Sequence, residues 1–380
     1  LGERIVILKR NAWYVIIAII LISQPRLQAQ DSEEQIDLSA GQAVWASSDL
    51  AHIEGRLQIS GFGIGAYQYA GNTTENTFSA NKIALSAFEQ VNAELYVFGQ
   101  LTTVLEEEAT ETEIDNLILS YTPAGLPNLT IMGGRFDAPV GFERDDEPLN
   151  FQPSNSFNFE AARPVKYTGL TAMLTLNPVW DITAYVVNGW DVDIDNNKAK
   201  TFGTRLGLSA SENTNLGLSF VIGFPEEEND RRVRWLTDLD YAIQPRPDWL
   251  LAGEINFGQE QDAGLDGQNA WWAGGQLTSY YQANRRLGVA LRYDVLRDDD
   301  GARTGEAQTL QSFSIAPSLK VRHGKYGAYS NREHTTFGIP QFELRLEFRV
   351  NHSDHSFFDD GGDSLSQWES LTRIQTVIVF

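Results

Sequence analysis

Four charges occupy alternate positions in one short stretch of the chain. Glu343, Arg345, Glu347 and Arg349 are interleaved with Phe342, Leu344, Leu346, Phe348 and Val350. Side chains of a strand point to opposite faces in turn, so one face here is charged and the other is hydrocarbon. Carboxylates and guanidiniums aligned on a wet face can orient and select polar solutes. The same separation recurs elsewhere. Arg205 opposes Phe202, Leu206 and Leu208, while Arg234, Asp238 and Asp240 oppose Val233, Trp235, Leu239 and Tyr241. Glu254 and Asn256 oppose Trp249, Leu251, Ile255 and Phe257, and Arg292 and Asp294 oppose Leu287, Val289, Leu291, Tyr293 and Val295. A denser group, Glu143, Arg144, Asp145, Asp146 and Glu147 with Arg163, lies within residues 137–165. If that long connection folds inward, its carboxylates face the inward arginines across water and narrow the space between the walls. A loop lying on the outer surface is the alternative.

Other constellations carry less. Asp191, Asp193, Asp195, Asn196 and Asn197 resemble the start of a calcium loop. The glycine expected at the sixth position is missing, and Phe202 stands where the bidentate Glu belongs, so a solvated acidic turn is the expected state. His352, Asp354, His355, Asp359, Asp360 and Asp363 are read as a hydrated loop in the same way. No G-x-S-x-G, H-E-x-x-H or phosphate-binding glycine loop is present. Acids are too numerous for any pair to mark a glycosidase. We therefore expect no enzyme, no metal and no cofactor. The net charge of -22 lacks the basic patch a nucleic-acid binder needs. Cysteine is absent, so stability must come from hydrogen-bonded sheet and packing.

The elements that would position these charges are strands. Period-2 alternation dominates the chain after residue 55, and turn signals divide it into about sixteen segments, an even number. Connections alternate between tight turns, such as 89–92, 177–179, 211–215 and 284–285, and longer acidic ones, such as 106–112, 137–165, 191–200, 225–232, 298–305 and 353–366. Residues 322–339 are the exception, a long connection on the short-turn side. No apolar run after residue 30 is long enough for a transmembrane helix. Ahead of the strands, Arg4, Lys9 and Arg10 precede the apolar run 13–22 and a polar stretch ending at Ala29, which is the order of a secretory signal. A retained membrane anchor is the other reading. We expect a signal in 1–29, a periplasmic segment in 30–54 and a barrel in 55–380. The fold class expected is all-β, a transmembrane antiparallel up-and-down β-barrel. Trp180, Trp190, Trp235, Trp249 and Trp368 lie near strand ends, as an interfacial girdle would.

Several stretches resemble the OmpL-like putative beta-barrel porin family. Gly134-Arg135-Phe136-Asp137-Ala138-Pro139-Val140-Gly141-Phe142-Glu143 is similar to its G-R/K-F-D-T-P-I-G-Y-E segment. Tyr167-Thr168-Gly169 resembles its H-T-G, departing at the first position, and Val187-Asn188-Gly189-Trp190-Asp191 resembles V-N-G-W-D. Leu344 to Arg349 resembles its penultimate strand, L-R-x-E-Y-R. The resemblance runs in order over essentially the whole mature chain and implies a porin-like barrel without naming a solute. We expect an outer-membrane channel of a Gram-negative bacterium that passes small hydrophilic solutes. The acids 106–108, 226–228 and 298–300 should give it a weak cation preference. A secreted soluble all-β carbohydrate-binding or hydrolytic protein, and a filled barrel serving as adhesin or scaffold, are the alternatives. Expected partners are outer-membrane lipid and lipopolysaccharide, the barrel assembly machinery through the terminal Phe380, and further copies of the chain.

Overall fold

A computed structural model describes residues 57–105, 110–225, 231–323, 337–362 and 364–380. The expected signal and periplasmic segments lie outside these, as do the acids 106–108 and 226–228, Asp363 and most of 322–339.

Sixteen strands close into a barrel in sequence order. They are β1 (Gln58–Ala70), β2 (Asn76–Gln90), β3 (Leu95–Leu105), β4 (Thr110–Tyr121), β5 (Leu129–Asp137), β6 (Lys166–Thr175), β7 (Trp180–Val187) and β8 (Thr201–Ser211). Next come β9 (Thr214–Gly223), β10 (Arg234–Arg246), β11 (Trp249–Glu260), β12 (Ala270–Gln282), β13 (Leu287–Asp298), β14 (Gln308–His323), β15 (Pro340–Ser353) and β18 (Trp368–Val379). The pair β16 (Phe358–Asp359) and β17 (Leu365–Ser366) is a small hairpin within the connection before β18. Neighbours are antiparallel, and β1 closes on β18 from Phe62↔Val379 to Ala70↔Leu371. Closure removes the unpaired edge that an open sheet would leave. A barrel of this strand number has room for an aqueous lumen.

The alternation read from the sequence sets which face is which. Glu254 is fully buried while its neighbour Ile255 is 58% exposed. In a soluble protein that order would be inverted, so the exposed face meets a phase other than water. Leu239, Phe257, Leu277, Leu291, Phe313 and Phe348 extend this apolar belt around the wall. Among the described residues no helix is long and apolar enough to cross a membrane, which says nothing about strands. Trp180 and Trp249 stand at the end with short turns, and Trp235, Trp271 and Trp368 at the end with long connections. Trp235 Nε1 donates to Gln259 Oε1 at 2.8 Å and Trp249 Nε1 to Ser279 Oγ at 2.9 Å, so both indoles keep a satisfied donor on the outer face. Trp190 is a correction to the expected girdle. It lies inside the barrel, 6.1 Å from the Trp272 ring, with the Arg234 and Arg303 guanidiniums on its faces.

The face assignment has a direct consequence. Leu346, midway along β15, should lose about 2–4 kcal/mol of refolding stability as Leu346→Arg, whereas Glu347→Ala on the inner face should lose far less. Equal losses, measured by denaturant refolding into lipid vesicles, would reverse the assignment.

Candidate functional site

Residues 138–165 join β5 to β6 and fold into the barrel. The chain first lies against β10 and β11, where Gly141 N–H donates to Asp238 Oδ1 at 3.0 Å and Phe142 N–H donates to Glu254 Oε2. Gly141 has φ of 77°. A Cβ there would run into the Glu254 carboxylate and the Arg163 guanidinium, so only glycine lets the backbone rest on these groups. The returning end of the loop passes through a π-helical turn, Asn158–Ala162. Asn158 Nδ2 and Arg163 Nε both donate to Glu254 Oε1, at 2.7 and 3.1 Å. One buried carboxylate on β11 therefore fastens both ends of the loop.

The middle of the loop is tied across the lumen. Arg292 on β13 donates to Glu143 Oε1 at 2.7 Å and to Asn155 O at 3.0 Å. Asp294 accepts from Phe157 N–H at 3.0 Å. Glu347 accepts from Ser154 Oγ at 2.8 Å, and Arg345 Nη1 donates to Glu147 O at 2.9 Å. On the far wall, Lys82 of β2 pairs with Glu147 at 3.4 Å, and Lys166 of β6 pairs with Asp145 at 3.5 Å. The deepest part of the loop is apolar. Leu149 joins Phe62, Ile64, Ala84, Val377 and Val379. Phe151 packs on the Tyr280 ring at 4.4 Å and the Phe337 ring at 6.1 Å. Buried charges are tolerable because each meets an opposite charge or a hydrogen-bond partner, and the apolar tip adds an anchor without such a requirement.

Adjacent carboxylates in the loop are driven in opposite directions. Burial pushes Asp146 up to about 7, with Lys82 and Lys166 opposing and Asp137 and Asp115 reinforcing. Burial also works against ionisation of Asp145, but Lys82 and Lys166 outweigh it and hold that carboxyl below its ordinary range. The two therefore differ in charge near neutral pH although they are neighbours in sequence.

What the loop leaves open is a cavity of about 380 Å³ bounded by loop residues and the wall of β2, β15 and β18. Lys82, Glu347, Arg349, Glu369 and Arg373 face it from the strands, and Asp145, Glu147 and Glu160 from the loop. A smaller cavity of about 260 Å³ lies where Arg135, Asp115 and Lys166 meet Asp191 and Asp193. The wet-face residues read from the sequence all project inward, but they have different surroundings. Glu347 and Arg349 reach the larger cavity. Asp238, Glu254, Arg292 and Asp294 are covered by the loop. Arg205 pairs with Asp240, Arg234 with Glu260, and Arg345 with Glu343, all within the wall.

Two expectations need correction, one about the loop and one about the connection between β7 and β8. Glu143 and Arg163 do not face wall charges across water; they touch Arg292 and Glu254 directly and are buried. The calcium-like stretch turns its carboxylates to protein donors. Asp191 Oδ1 accepts from Val165 and Lys166 N–H at 2.8 and 2.7 Å, and Asp193 accepts from Arg135 Nε at 2.7 Å. Arg144 donates its N–H to Asn150 Oδ1 at 2.9 Å, which closes a tight bend in the loop.

Sequence reading missed Lys82, Glu160, Glu369 and Arg373. Arg373 was within reach, since it shares parity with Gln375 and opposes Ile374 and Ile378 on the last strand. Glu160 and Lys82 had no such signal. Glu160 sits on a turn, and Lys82 is a single charge on an inner face that continues with Ala84, Ser86, Phe88 and Gln90.

Residues 25–380 match the family described as putative beta-barrel porin-2, OmpL-like. No curated protein matches the chain. Among solved structures, the outer membrane channel DcaP of Acinetobacter baumannii is 12% identical with a TM-score of 0.59, over 87% of this chain and 100% of that one. OmpT of Vibrio cholerae in its trimer form is 10% identical with a TM-score of 0.59, over 86% of this chain and 100% of that one. The anion-selective porin from Comamonas acidovorans is 8% identical with a TM-score of 0.58, over 86% and 99%. At these identities the likeness concerns the fold.

Proposed function

The chain belongs to the putative beta-barrel porin-2, OmpL-like family of porin-like barrels in the Gram-negative outer membrane, and we propose that it works as a passive channel for small hydrophilic solutes with a weak preference for cations. The observation that carries this reading is the charged cavity beside the inward loop. Five acids, Asp145, Glu147, Glu160, Glu347 and Glu369, meet three bases, Lys82, Arg349 and Arg373, around it. A wall of mixed charge admits water and polar solutes and excludes apolar ones, and the acid excess concentrates cations. Two of the described acids at the end with long connections are already engaged. Asp298 accepts three backbone N–H groups from residues 302–304, and Asp299 pairs with Arg297 at 2.7 Å. No catalytic role is proposed for any of these residues.

Reversal potential across a salt gradient tests the reading. Cation preference should show at low salt and fade as the Debye length falls from ~30 Å at 0.01 M to ~3 Å at 1 M. Anion preference at low salt would mean that Arg349 and Arg373 control the field. The dry seating of Leu149 and Phe151 favours a second reading, a filled barrel used as adhesin or scaffold. Absence of conductance at both salt concentrations would select it. Lipid and lipopolysaccharide around the apolar belt, the assembly machinery at Phe380, and self-association into an oligomer complete the proposal.

A further inference from the structure

Most inward cations of this barrel are neutralised at contact distance. Arg163 meets Glu254 at 3.1 Å, Lys166 meets Asp115 at 2.8 Å, Arg234 meets Glu260 at 2.7 Å, Arg292 meets Glu143 at 2.7 Å and Arg345 meets Glu343 at 2.8 Å. Arg349 and Arg373 are held differently. Arg349 Nε donates to Asn351 Oδ1 at 2.7 Å, and its Nη1 to Asn155 O at 2.7 Å and Ser154 Oγ at 3.1 Å. Arg373 Nε donates to Gln68 Oε1 at 3.1 Å, and its Nη1 to Pro153 O at 3.1 Å. All these acceptors are neutral, and neither guanidinium forms an ion pair among the described residues. Both are nevertheless fixed in place, Arg349 also lying 4.8 Å from the Phe157 ring. They stand on adjacent strands, since Arg349 is paired with Leu371 and Glu347 with Arg373. Both line the 380 Å³ cavity.

A pre-positioned guanidinium pair that touches no carboxylate suits an oxyanion, and its planar donors suit a carboxylate best. The same cavity carries Glu160 from the loop and Glu369 from β18. These would repel a simple anion and attract an ammonium group. The geometry points to a binding subsite for a small zwitterion in this cavity, its carboxylate on Arg349 and Arg373 and its ammonium on Glu160 and Glu369. This deepens the channel reading and rests on it, because such a subsite in a passage makes flux of its solute saturable. It also accommodates the weak cation preference, since a solute of zero net charge is not turned away by the acid excess.

Three probes with one carbon skeleton separate the terms: 4-aminobutyrate, butyrate and butylammonium. Binding of each to the refolded barrel in detergent is measured by calorimetry, which needs no conductance, and potassium chloride conductance is measured separately to judge the channel reading. Saturable binding of 4-aminobutyrate, with butyrate and butylammonium at least about tenfold weaker, is expected. The R349Q/R373Q variant should lose 4-aminobutyrate binding by about tenfold or more. Because Arg349 also holds loop carbonyls, that variant can fail to fold, and E160Q/E369Q covers this case. It should bind butyrate at least as well as 4-aminobutyrate, a reversal of preference that a purely structural role would not produce. No binding of 4-aminobutyrate by the wild-type barrel, or an unchanged order of probes in E160Q/E369Q, overturns the subsite whether or not the barrel conducts.

Discussion

Replacing Arg292 by methionine should release the inward loop and raise single-channel conductance severalfold. Arg292 is 1% exposed. Its guanidinium serves Glu143 Oε1 at 2.7 Å, Ser154 Oγ at 3.0 Å and Asn155 O at 3.0 Å, with Asp294 at 3.4 Å. Methionine fills much of the volume but supplies no charge, so Glu143 and Asp294 would be left buried beside one another. Breaking a buried pair by removing one partner typically costs about 3–5 kcal/mol. The barrel ladder, closed from β1 to β18, does not depend on this contact, so the loss falls on the loop. A loosened loop widens the passage and becomes accessible to proteases between residues 143 and 157. The E143Q/R292M double variant sharpens the test. It removes the stranded acid, so it should recover part of the stability lost in R292M while keeping the raised conductance, a departure from additivity expected of contacting groups. A folded R292M barrel with unchanged conductance and unchanged protease resistance would show that the loop does not limit the passage.

The fold was far more legible in the sequence than the loop's seating, and the reason is geometric. A wall strand alternates between two phases, so each side chain reports its own face. Glu343, Arg345, Glu347 and Arg349 were therefore assigned inward from parity alone, as they stand in the barrel. Turn lengths alternate for the same kind of reason, since one end of the barrel is short-looped apart from the connection between β14 and β15. The loop has no period. That Glu254 would be its clasp, or that Leu149 would settle among Phe62, Ala84 and Val377, depends on chain segments about 65 to more than 200 positions apart meeting in space. Trp190 shows the limit in one residue. Proximity to a strand end suggested the interface, but just beyond β7 the chain turns inward, and the ring stacks with arginines in place of lipid headgroups. The charge-rich cavity was half visible: Glu347 and Arg349 by parity, Glu160 and Lys82 not at all.

The second large effect is a dependence of loop seating on pH, carried by Asp146. Its carboxylate accepts from Gln100 Nε2 at 2.9 and 3.2 Å and is 6% exposed. The groups facing it are Lys82 on β2, Asp115 on β4, Asp137 on β5 and Lys166 on β6. Burial is the largest influence and raises its titration from 3.8 to about 7. Below pH ~4 the carboxyl is neutral in both the seated and the unfolded chain, so seating carries no penalty. Between pH ~4 and ~7 only the unfolded chain ionises it, and stability falls as pH rises. Above that range both forms are ionised and the penalty is complete, amounting to roughly 4 kcal/mol as an upper figure for such a shift. Neighbouring Asp145, held ionised by Lys82 and Lys166, works in the opposite sense and at lower pH. The seated loop should therefore be firmest near pH ~4, with protease cleavage between residues 143 and 157 increasing towards pH 8. Asp146→Asn keeps the shape and an acceptor for Gln100 but cannot ionise, so its cleavage rate should stay near the acid value of the wild type across that range. An equally steep pH dependence in Asp146→Asn would move the titrating group elsewhere, and a flat wild-type profile would mean that Lys82 and Lys166 keep Asp146 charged while it is buried.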